Sequence, residues 1–515
     1  MNNNEIIGYT IGETRIDELT FLAKEAPKVG DYVKINYDNS ELLGMVESTI
    51  QGNLALEDIL SIEHLEKIRK FEDNSSYYIL GKIKVLGDIK GLNNKNGALK
   101  LPRVPPKPGI PIYRADDNIL KKVFGNGHLK IGHLVTREDV EIKLDANKLC
   151  SRHLAILAMT GMGKSNTVAV LLRELNKLKA TVLVFDMHGE YRDIYCESEK
   201  LRVHVIEPKI NIYRINDDDL CDLAGVDVQA TKQRPYIRKA IKEIKEKFKE
   251  SDFSTVEEYV NAIIRKLEEY KVDDNYKKDE SSIQTAIFRL EDMLQFRKNI
   301  ITLHYNPIND IREHYINIIP MEELDENAVD IVVSYIAKAV LDDRKRIIIE
   351  KGRDFAKPIF MIFEEAHLIA PQNRKTRAKY YLSRIAREGR KFGVGLCLVS
   401  QRPKTLDAET LSQCSNLIIS KLIEPTDQKH VQMASENLSE DLIKQLTSLN
   451  IGEAIILGPC IKVPAIVKVD KFDGRYGGED LKIVELWEKD YINSENLKKS
   501  DKIDDSAFGD DDLFS

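Results

Sequence analysis

The 515-residue sequence lacks the marks of a membrane, secreted or zinc-binding protein. It contains no run of about 18 uncharged apolar residues, so no membrane-spanning helix is expected. The N-terminus, MNNNEIIGYTIGE, has neither the basic flank nor the apolar stretch of a signal peptide. The six cysteines are widely scattered and no pair has CxxC spacing, which predicts neither a zinc site nor a disulfide framework. These absences favour a reduced, cytoplasmic protein.

An excess of positive charge is also absent. The formal net charge is −7 at pH 7, which argues against a protein that coats nucleic acid with its whole surface. A local basic channel is still compatible with that charge. The composition, 42% hydrophobic and 31% charged, is ordinary for a globular protein. The length predicts about two to four domains.

The N-terminal part of the chain has a β pattern. Over residues 1–100, short β-like runs are separated by Gly and Asp-Asn pairs, which predicts a small β-barrel. The next segment, 101–130, begins with LPRVPPKPGIPIY, which has five prolines in thirteen residues. Such a density of proline predicts a stiff, extended linker.

The rest of the chain alternates strands with helices. This pattern over 131–214 and 301–470 predicts an α/β core with a parallel sheet and crossover helices. Between these parts, residues 215–300 repeat apolar residues at helical spacing, which predicts a helical insertion, with a capping box at Ser254 and Glu257. The extension 471–515 ends in DKIDDSAFGDDDLFS, whose six Asp and one Lys predict a disordered acidic tail.

A glycine-rich turn that ends in Lys-Ser follows the apolar strand HLAILA. Residues 158–165 match the phosphate-loop pattern G-x-x-x-x-G-K-[ST], with Ala158 in place of the first glycine. In such a loop, backbone N–H groups surround the β-phosphate, Lys164 reaches the β and γ oxygens, and Ser165 holds Mg²⁺. The alternative is a chance glycine-rich turn. The predicted nucleotide-binding residues are Thr160, Gly161, Met162, Gly163, Lys164, Ser165 and Asn166.

Two further polar groups follow apolar strands. PIFMIFEEAHLIA ends its strand in Glu364 and Glu365, and a turn at the strand end would direct both carboxylates to one site. One would join the Mg²⁺ shell and the other would deprotonate a water; a solvent-facing acidic strand end is the alternative. Gln401 follows VGLCLVS, a strand expected beside that of Glu364, and would contact the γ-phosphate or the water. Glutamine at a strand end is, however, common.

In their order along the chain, six segments resemble the archaeal HerA ATPases of the HerA/FtsK group. They are RHLAILAMTGMGKSNTVAVL, VFDMHGEY, FEEAHLIAP, SRIAREGRKFGVGLCLVSQRP, LIEPTD and LTSLNIGEAIILG. The resemblance covers nearly the whole chain. It implies a RecA-like P-loop ATPase domain with a helical insertion, preceded by a β-barrel that this family calls the HAS-barrel. It also implies hexameric rings that use ATP and Mg²⁺, translocate on double-stranded DNA and work with the nuclease NurA in resecting broken ends.

The resemblance assigns roles to the acidic residues. Glu364 matches the metal-associated Walker B carboxylate, and Glu365 matches the catalytic base, which acts with Lys164 and Gln401. Asp186, in VFDMHGEY, would support the Mg²⁺ or water network. Capping of the turn is the alternative for Asp186 and for Glu190.

The resemblance also assigns two arginines. Arg390 matches the arginine finger that a neighbouring subunit supplies to the γ-phosphate. Its neighbours Arg384 and Arg387 fit simple surface charges. Arg152 matches a second arginine that acts across the interface, for which a structural salt bridge is the alternative.

Two basic loops are the expected DNA contacts. One follows the strand that ends at Glu364 and the other follows the strand that ends before Gln401. In RecA-like rings, the loops at these two places face the pore. Clusters of cations suit phosphate contacts without base reading. For any one of these residues, a solvated loop position is the alternative. The residues are Arg374, Lys375, Arg377, Lys379, Arg402 and Lys404.

We therefore predict an ATP-driven double-stranded-DNA translocase or helicase that acts in end resection and double-strand-break repair. One alternative is a conjugation-type pump of the same group, although no membrane anchor is evident. The other is a ring that clamps DNA or a nuclease and switches with ATP without translocating.

Overall fold

The computed structural model describes residues 5–38, 40–56, 61–69, 77–93, 99–352, 357–435 and 438–477, with single positions at 483, 484 and 487. Most of the extension predicted for 471–515, including its acidic tail, lies outside these residues. Within them, no helix has the length and apolar character needed to cross a membrane.

An N-terminal barrel confirms the predicted β domain. Its strands hydrogen-bond in the closed order β1-β2-β5-β4-β3-β6, and a short helix, α1 (Ile62–Arg69), lies between β4 and β5. Alternate side chains point inward, so that Leu19, Phe21 and Ile35 are fully buried. The strands are β1 (Ile6–Ile11), β2 (Glu18–Ala23), β3 (Tyr32–Tyr37), β4 (Ser40–Asn53), β5 (Tyr77–Asp88) and β6 (Pro111–Arg114).

The last strand of the barrel lies inside the segment predicted as a linker. In β6, Pro111 pairs with Tyr9 on one side and Ile112 with Ile35 on the other. Proline is tolerated because it is the first residue of the strand, where a missing N–H disrupts little. From Pro111 onward, the segment predicted as a linker over 101–130 forms regular structure, since β6 is followed by α2 (Asp117–Phe124).

The α/β core is built on one eleven-stranded sheet of order β12-β15-β10-β16-β17-β9-β18-β19-β20-β7-β8. The strands from β12 to β18 are parallel, and those from β19 to β8 are antiparallel. The elements up to the insertion are β7 (Leu129–Leu134), β8 (Arg137–Leu144), α3 (Ala146–Ser151), β9 (Leu154–Leu157), α4 (Lys164–Lys177), β10 (Thr181–Asp186), β11 (Tyr195–Cys196), β12 (Val203–Val205) and β13 (Ile210–Asn211).

The predicted helical insertion is present. Apolar residues at helical spacing form its core, as Ile263, Leu267 and Leu290 are fully buried. The N-cap is Thr255, one residue later than predicted: Glu258 N–H donates to Thr255 Oγ1, while the Glu258 carboxylate accepts from Ser254 N–H, the residue before the cap. The insertion contains α5 (Asp217–Leu223), α6 (Gln233–Lys247), α7 (Val256–Val272) and α8 (Glu280–Phe296).

The second part of the core completes the sheet. Its elements are β14 (Ile301–Thr302), α9 (Pro307–Asp310), β15 (Ile316–Pro320), α10 (Glu326–Lys351), β16 (Ile359–Phe363), α11 (Ala366–Ile369), α12 (Arg377–Phe392), β17 (Val394–Ser400), α13 (Ala408–Ser412), β18 (Asn416–Ile419), α14 (Pro425–Ala434), α15 (Glu440–Gln445), β19 (Glu453–Leu457), β20 (Ala465–Val469) and β21 (Gly474–Arg475). Because β9, β17 and β16 are parallel neighbours, the segments that follow them meet at one edge of the sheet. The adjacency predicted for the Glu364 and Gln401 strands is confirmed.

Candidate functional site

The phosphate loop joins β9 to α4 at the carboxyl edge of the sheet. Gly161 and Gly163 have φ of +77° and +93°, in the left-handed region that favours glycine. Gly163 is the N-cap of α4, so Lys164 is the first residue of a helix whose free N–H groups attract anions. Ala158 is fully buried and does not have a positive φ, which explains why a side chain is tolerated there.

The structure brings three predicted residues together around one carboxylate oxygen. Lys164 Nζ lies 2.5 Å from Glu365 Oε1, and Gln401 Nε2 donates to the same oxygen at 2.7 Å. Glu365 has φ +42° and ψ +45°, and this turn lets its side chain and that of Glu364 serve the same edge. Burial favours a raised pKa for Glu365, but Lys164 outweighs it and holds the pKa below its ordinary value.

Gln401 also contacts the phosphate loop. Thr160 Oγ1 donates to Gln401 Oε1 at 2.5 Å, while the amide nitrogen of Gln401 serves Glu365. One side chain therefore connects the loop that would hold the phosphates to the candidate base. This placement agrees with the role predicted for Gln401 as a contact of the phosphate or water.

Glu364 is the buried member of the carboxylate pair. Tyr191 OH donates to its Oε1 at 2.9 Å, whereas its Oε2 is buried without a hydrogen bond in the described residues. Burial raises the pKa of Glu364 to about 8, and the nearby Lys164 opposes that rise. A buried carboxylate oxygen without a donor suits the water shell of a cation.

The donor set fits Mg²⁺, which takes few protein ligands and completes its octahedron with phosphate oxygens and water. The Ser165 hydroxyl, in the first turn of α4, and Glu364 are the residues that would hold it. Among the described residues, His, Cys, Asp and Glu form no cluster of three or more able to hold a metal by themselves.

Two residues of the predicted site have other partners. Asp186 Oδ1 and Oδ2 accept the N–H groups of Glu190 and Tyr191 at 3.0 and 2.8 Å, which favours the capping role considered as its alternative. The Asn166 amide donates to Asp470 O at 2.9 Å and accepts Phe472 N–H at 2.8 Å. Its side chain therefore fixes the chain after β20, and contact with a nucleotide remains a prediction for its backbone N–H.

The candidate finger lies far from its own phosphate loop. Helix α12 starts near the carboxyl end of β16 and returns to the start of β17, so Arg390, in its last turn, lies at the opposite edge of the sheet. Arg384 and Arg387 pair with Glu388 and Glu409, whereas Arg390 is exposed and has no ion pair in the described residues.

Arg152 lies at the same edge as Arg390, immediately before β9. It is exposed, and the salt bridge considered as its alternative role is not found within the described part of the chain. Both arginines therefore lie on the surface, at the edge of the sheet opposite the phosphate loop of their own chain.

Several of the basic residues predicted to contact DNA hold the protein together instead. The Arg377 guanidinium lies between Asp219 and Asp222 of α5, with Asp330 of α10 at 3.7 Å. Lys379 Nζ donates to Pro371 O at 2.9 Å and lies 2.7 Å from Asp407. Because carboxylates and carbonyls already use their donors, Arg377 and Lys379 are less suited to DNA than the free basic residues, and their DNA contact remains a prediction.

The remaining basic residues are on the surface. Arg374 pairs with Glu326 at 2.9 Å, and Lys404 pairs with Glu424. Lys375 and Arg402 are exposed and have no ion pair in the described residues. These two are the candidates that keep free cationic groups.

Two aromatic side chains that surround the carboxylates were not predicted from the sequence. Tyr191 contacts Glu364, and His367 Nδ1 lies 3.2 Å from Glu365 Oε2. The sequence signals were the Tyr that ends VFDMHGEY and the His two residues after Glu365. Neither signal states which carboxylate a ring would contact, since that depends on how the strands align.

Comparison with known families covers most of the chain. Residues 7–91 match the HAS barrel domain, residues 129–340 the central domain of helicase HerA, and residues 340–469 the helicase HerA-like C-terminal domain. The three matches follow the order of the barrel, the first part of the core with the insertion, and the second part of the core.

Individual relatives agree with these matches. A probable helicase of Methanocaldococcus jannaschii is 92% identical over 515 residues, 100% of both chains. The DNA double-strand break repair helicase HerA of Saccharolobus solfataricus is 38% identical over 493 residues, 94% of this chain and 96% of that protein. Among solved structures, VirB4 of Thermoanaerobacter pseudethanolicus has a TM-score of 0.47 and 14% identity, covering 67% of this chain and 97% of that one. The last similarity is too low to support an inference.

Proposed function

This chain belongs to the HerA family of helicases, and from that membership we propose how its site works. It is an ATP-hydrolysing DNA helicase or translocase that acts in double-strand-break repair, as its relatives named for that process do. We further propose that it forms a hexameric ring, that it moves double-stranded DNA through the ring, and that it works with a NurA-type nuclease.

The observation that carries the proposal is the convergence of Lys164, Gln401 and Glu365 beside the phosphate loop. Lys164 and Gln401 share Glu365 Oε1, at 2.5 and 2.7 Å, and Gln401 also contacts Thr160. A helix N-terminus, a lysine, a carboxylate and an amide at one point are the parts that hydrolysis of a γ-phosphate needs.

In the proposed reaction, the phosphates of ATP lie along residues 160–163. The Lys164 ammonium then leaves Glu365 and contacts the phosphates. Glu365 Oε1 is then free to accept a proton from the attacking water, which Gln401 orients. Ser165 would bind Mg²⁺ directly, and Glu364 would accept from its water shell. The cation supplies charge neutralisation between the β and γ oxygens.

The placement of Arg390 and Arg152 supports action between subunits. Both arginines lie at the sheet edge opposite the phosphate loop. An arginine at this edge can reach a γ-phosphate only at the site of a neighbouring copy, and repeated head-to-tail contacts of this kind form a ring when the rotation between copies closes. Lys375 and Arg402 are the proposed contacts with DNA phosphates, and the barrel is the proposed contact with the nuclease.

The test compares ATP hydrolysis with displacement of a third strand from linear duplex DNA. A translocase should hydrolyse ATP faster with duplex and should displace a bound triplex strand, whereas Glu365→Gln should do neither. Displacement should fall in Lys375→Ala and Arg402→Ala, with basal hydrolysis unchanged. Nucleotide-dependent duplex binding without displacement by the wild type would favour the clamp instead.

A further inference from the structure

Two histidines flank the candidate base and have no role in the reaction proposed above. His367 Nδ1 lies 3.2 Å from Glu365 Oε2, and only 12% of the His367 side chain is exposed. His188 Nε2 lies 3.8 Å from Glu365 Oε1, with 53% of its side chain exposed. The two rings thus approach different oxygens of one carboxylate, one from the interior and one from solvent.

The two oxygens of Glu365 have unequal surroundings. Oε1 receives hydrogen bonds from Lys164 and Gln401, whereas Oε2 is buried and makes no hydrogen bond in the described residues. His367 Nδ1 is within hydrogen-bond distance of Oε2 but is not aligned with it. Catalytic hydrogen bonds are often long or poorly aligned until the substrate is bound.

The His367 ring is itself held in place. It is the second residue of α11, the short helix whose N-cap is Glu365. Its Nδ1 also lies 3.3 Å from Ser400 Oγ, and that buried hydroxyl accepts Arg402 N–H at 3.1 Å. A carboxylate only accepts hydrogen bonds, so the ring must carry its proton on Nδ1 to face Oε2, and Ser400 Oγ is then a second acceptor for the same N–H.

We propose that His367 is a positioning residue for Glu365, and that its Nδ1–H holds Oε2 so that Oε1 faces the attacking water. This inference rests on the proposed function, in which Glu365 is the base. Phosphates compete for Lys164, and Gln401 gains the phosphate or water as a partner. Oε1 is then released to the water, and the contact from His367 is the one left to fix the rotation of the carboxylate.

The experiment measures single-turnover hydrolysis and equilibrium nucleotide binding in full-length protein. His367→Ala should lower kcat about 10- to 100-fold, in the range found when a group that orients an active-site residue is removed. KM for ATP and nucleotide affinity should stay unchanged, because His367 contacts neither the phosphate loop nor Lys164. His367→Asn should restore most of kcat, since its amide nitrogen can donate from nearly the position of Nδ1. His188→Ala is the matched control and should keep turnover within about twofold.

Each outcome separates this inference from the proposed function. If Glu365→Gln abolishes turnover while His367→Ala keeps it, the base stands and the positioning role of His367 is wrong. If Glu365→Gln itself keeps turnover, the assignment of the base fails instead. Loss of kcat in both His367→Ala and His367→Asn, with nucleotide binding intact, would assign His367 to packing and overturn the donor role.

Discussion

At the scale of single residues, Lys164 and Glu365 form a buried ion pair. Substitution of one should affect nucleotide binding and turnover differently from substitution of the other. Lys164→Ala removes the cation that contacts β and γ oxygens, so nucleotide affinity and turnover should both fall. Glu365→Gln leaves Lys164 free for phosphate, so binding should persist while turnover falls about 10²- to 10⁴-fold. Equilibrium binding of a fluorescent ATP analogue, beside single-turnover hydrolysis, measures the two effects separately. Equal loss of affinity in both variants would contradict this division of roles.

Motif residues whose chemistry comes from the backbone or from one local turn were predictable from the sequence. Lys164 and Glu365 belong to this class, since the glycine pattern and the strand end already indicate their positions. Asn166 and Asp186 do not. Asn166 is bound by residues more than 300 positions later, and Asp186 has amide partners four and five residues ahead. A short polar side chain binds the donors that folding places nearest, and sequence spacing alone does not reveal them.

At the scale of secondary-structure elements, Arg377 joins α12 to the insertion and to α10. Asp330 also accepts N–H from Arg377 and Ala378 at 3.2 and 2.8 Å and so caps the start of α12. Arg377→Gln should lower the free energy of unfolding by about 1–3 kcal/mol, because the mostly buried Asp219 and Asp330 lose the cation that pairs with them, whereas Asp222 keeps Arg234. The measurement is urea unfolding.

Arg374→Gln is the matched control for Arg377→Gln. Arg374 is three residues away, and its pair with Glu326 has side chains 54% and 67% exposed. Loss of such a surface pair should cost no more than about 1 kcal/mol. An equal loss of stability in the two variants would show that the Arg377 cluster contributes no more than a surface ion pair.

His153 connects three elements of the core. It is buried just before β9, its Nε2–H donates to Ala386 O of α12 at 2.9 Å, and its Nδ1 accepts Leu396 N–H of β17 at 3.1 Å. Protonation of Nδ1 would place its N–H against the N–H of Leu396, with no acceptor between them. Burial lowers the pKa of His153 from 6.5 to about 4, and the bond to Ala386 opposes that shift only in part.

The lowered pKa of His153 predicts a pH dependence of stability. Between about pH 6.5 and 4 the unfolded chain binds the proton and the folded chain does not, so this contribution is lost as pH falls through that window. Its full size is about 3 kcal/mol. His153→Asn removes the titration, and asparagine tolerates the φ of +58°. Urea unfolding from pH 7 to 4 should give a shallower slope for the variant; identical slopes would exclude the effect.

At the scale of the whole molecule, the barrel and the ATPase core are packed as one body. Tyr32, Leu43 and Met45 belong to barrel strands but are fully buried in the large core, and Tyr32 OH donates to Pro464 O at 2.7 Å. The β pattern predicted the barrel, but it could not predict this contact between the barrel and the ATPase core. The residues that face the barrel interior and those that face the ATPase core are both apolar. Removal of residues 1–100 would expose the apolar surface of the core at this contact and would separate β6 from the other barrel strands. Surface substitutions on the barrel are therefore the appropriate test of nuclease docking.

The position of Arg390 makes a prediction about the assembled ring. Arg390→Ala should lose most hydrolysis while each subunit still binds ATP, because the cation is missing only at its neighbour's site. Arg390→Ala and Glu365→Gln subunits should complement each other when mixed, since an interface with the base of the first and the finger of the second is complete. Random mixing at equal amounts makes about a quarter of such head-to-tail interfaces complete. Hydrolysis should recover toward that fraction of the wild-type rate.

Lys164→Ala mixed with Glu365→Gln is the matched control for this complementation. Both substitutions damage the site that one chain builds around its own phosphate loop, so every mixed interface still lacks one of the two groups and no recovery is expected. Arg387→Ala, which removes a neighbouring arginine that pairs with Glu409 at 3.0 Å, should keep most activity by itself. The contrary outcome is that mixtures of Arg390→Ala and Glu365→Gln subunits recover no hydrolysis at any ratio, in rings shown to exchange subunits. That result would overturn the proposal that Arg390 acts across the interface between subunits.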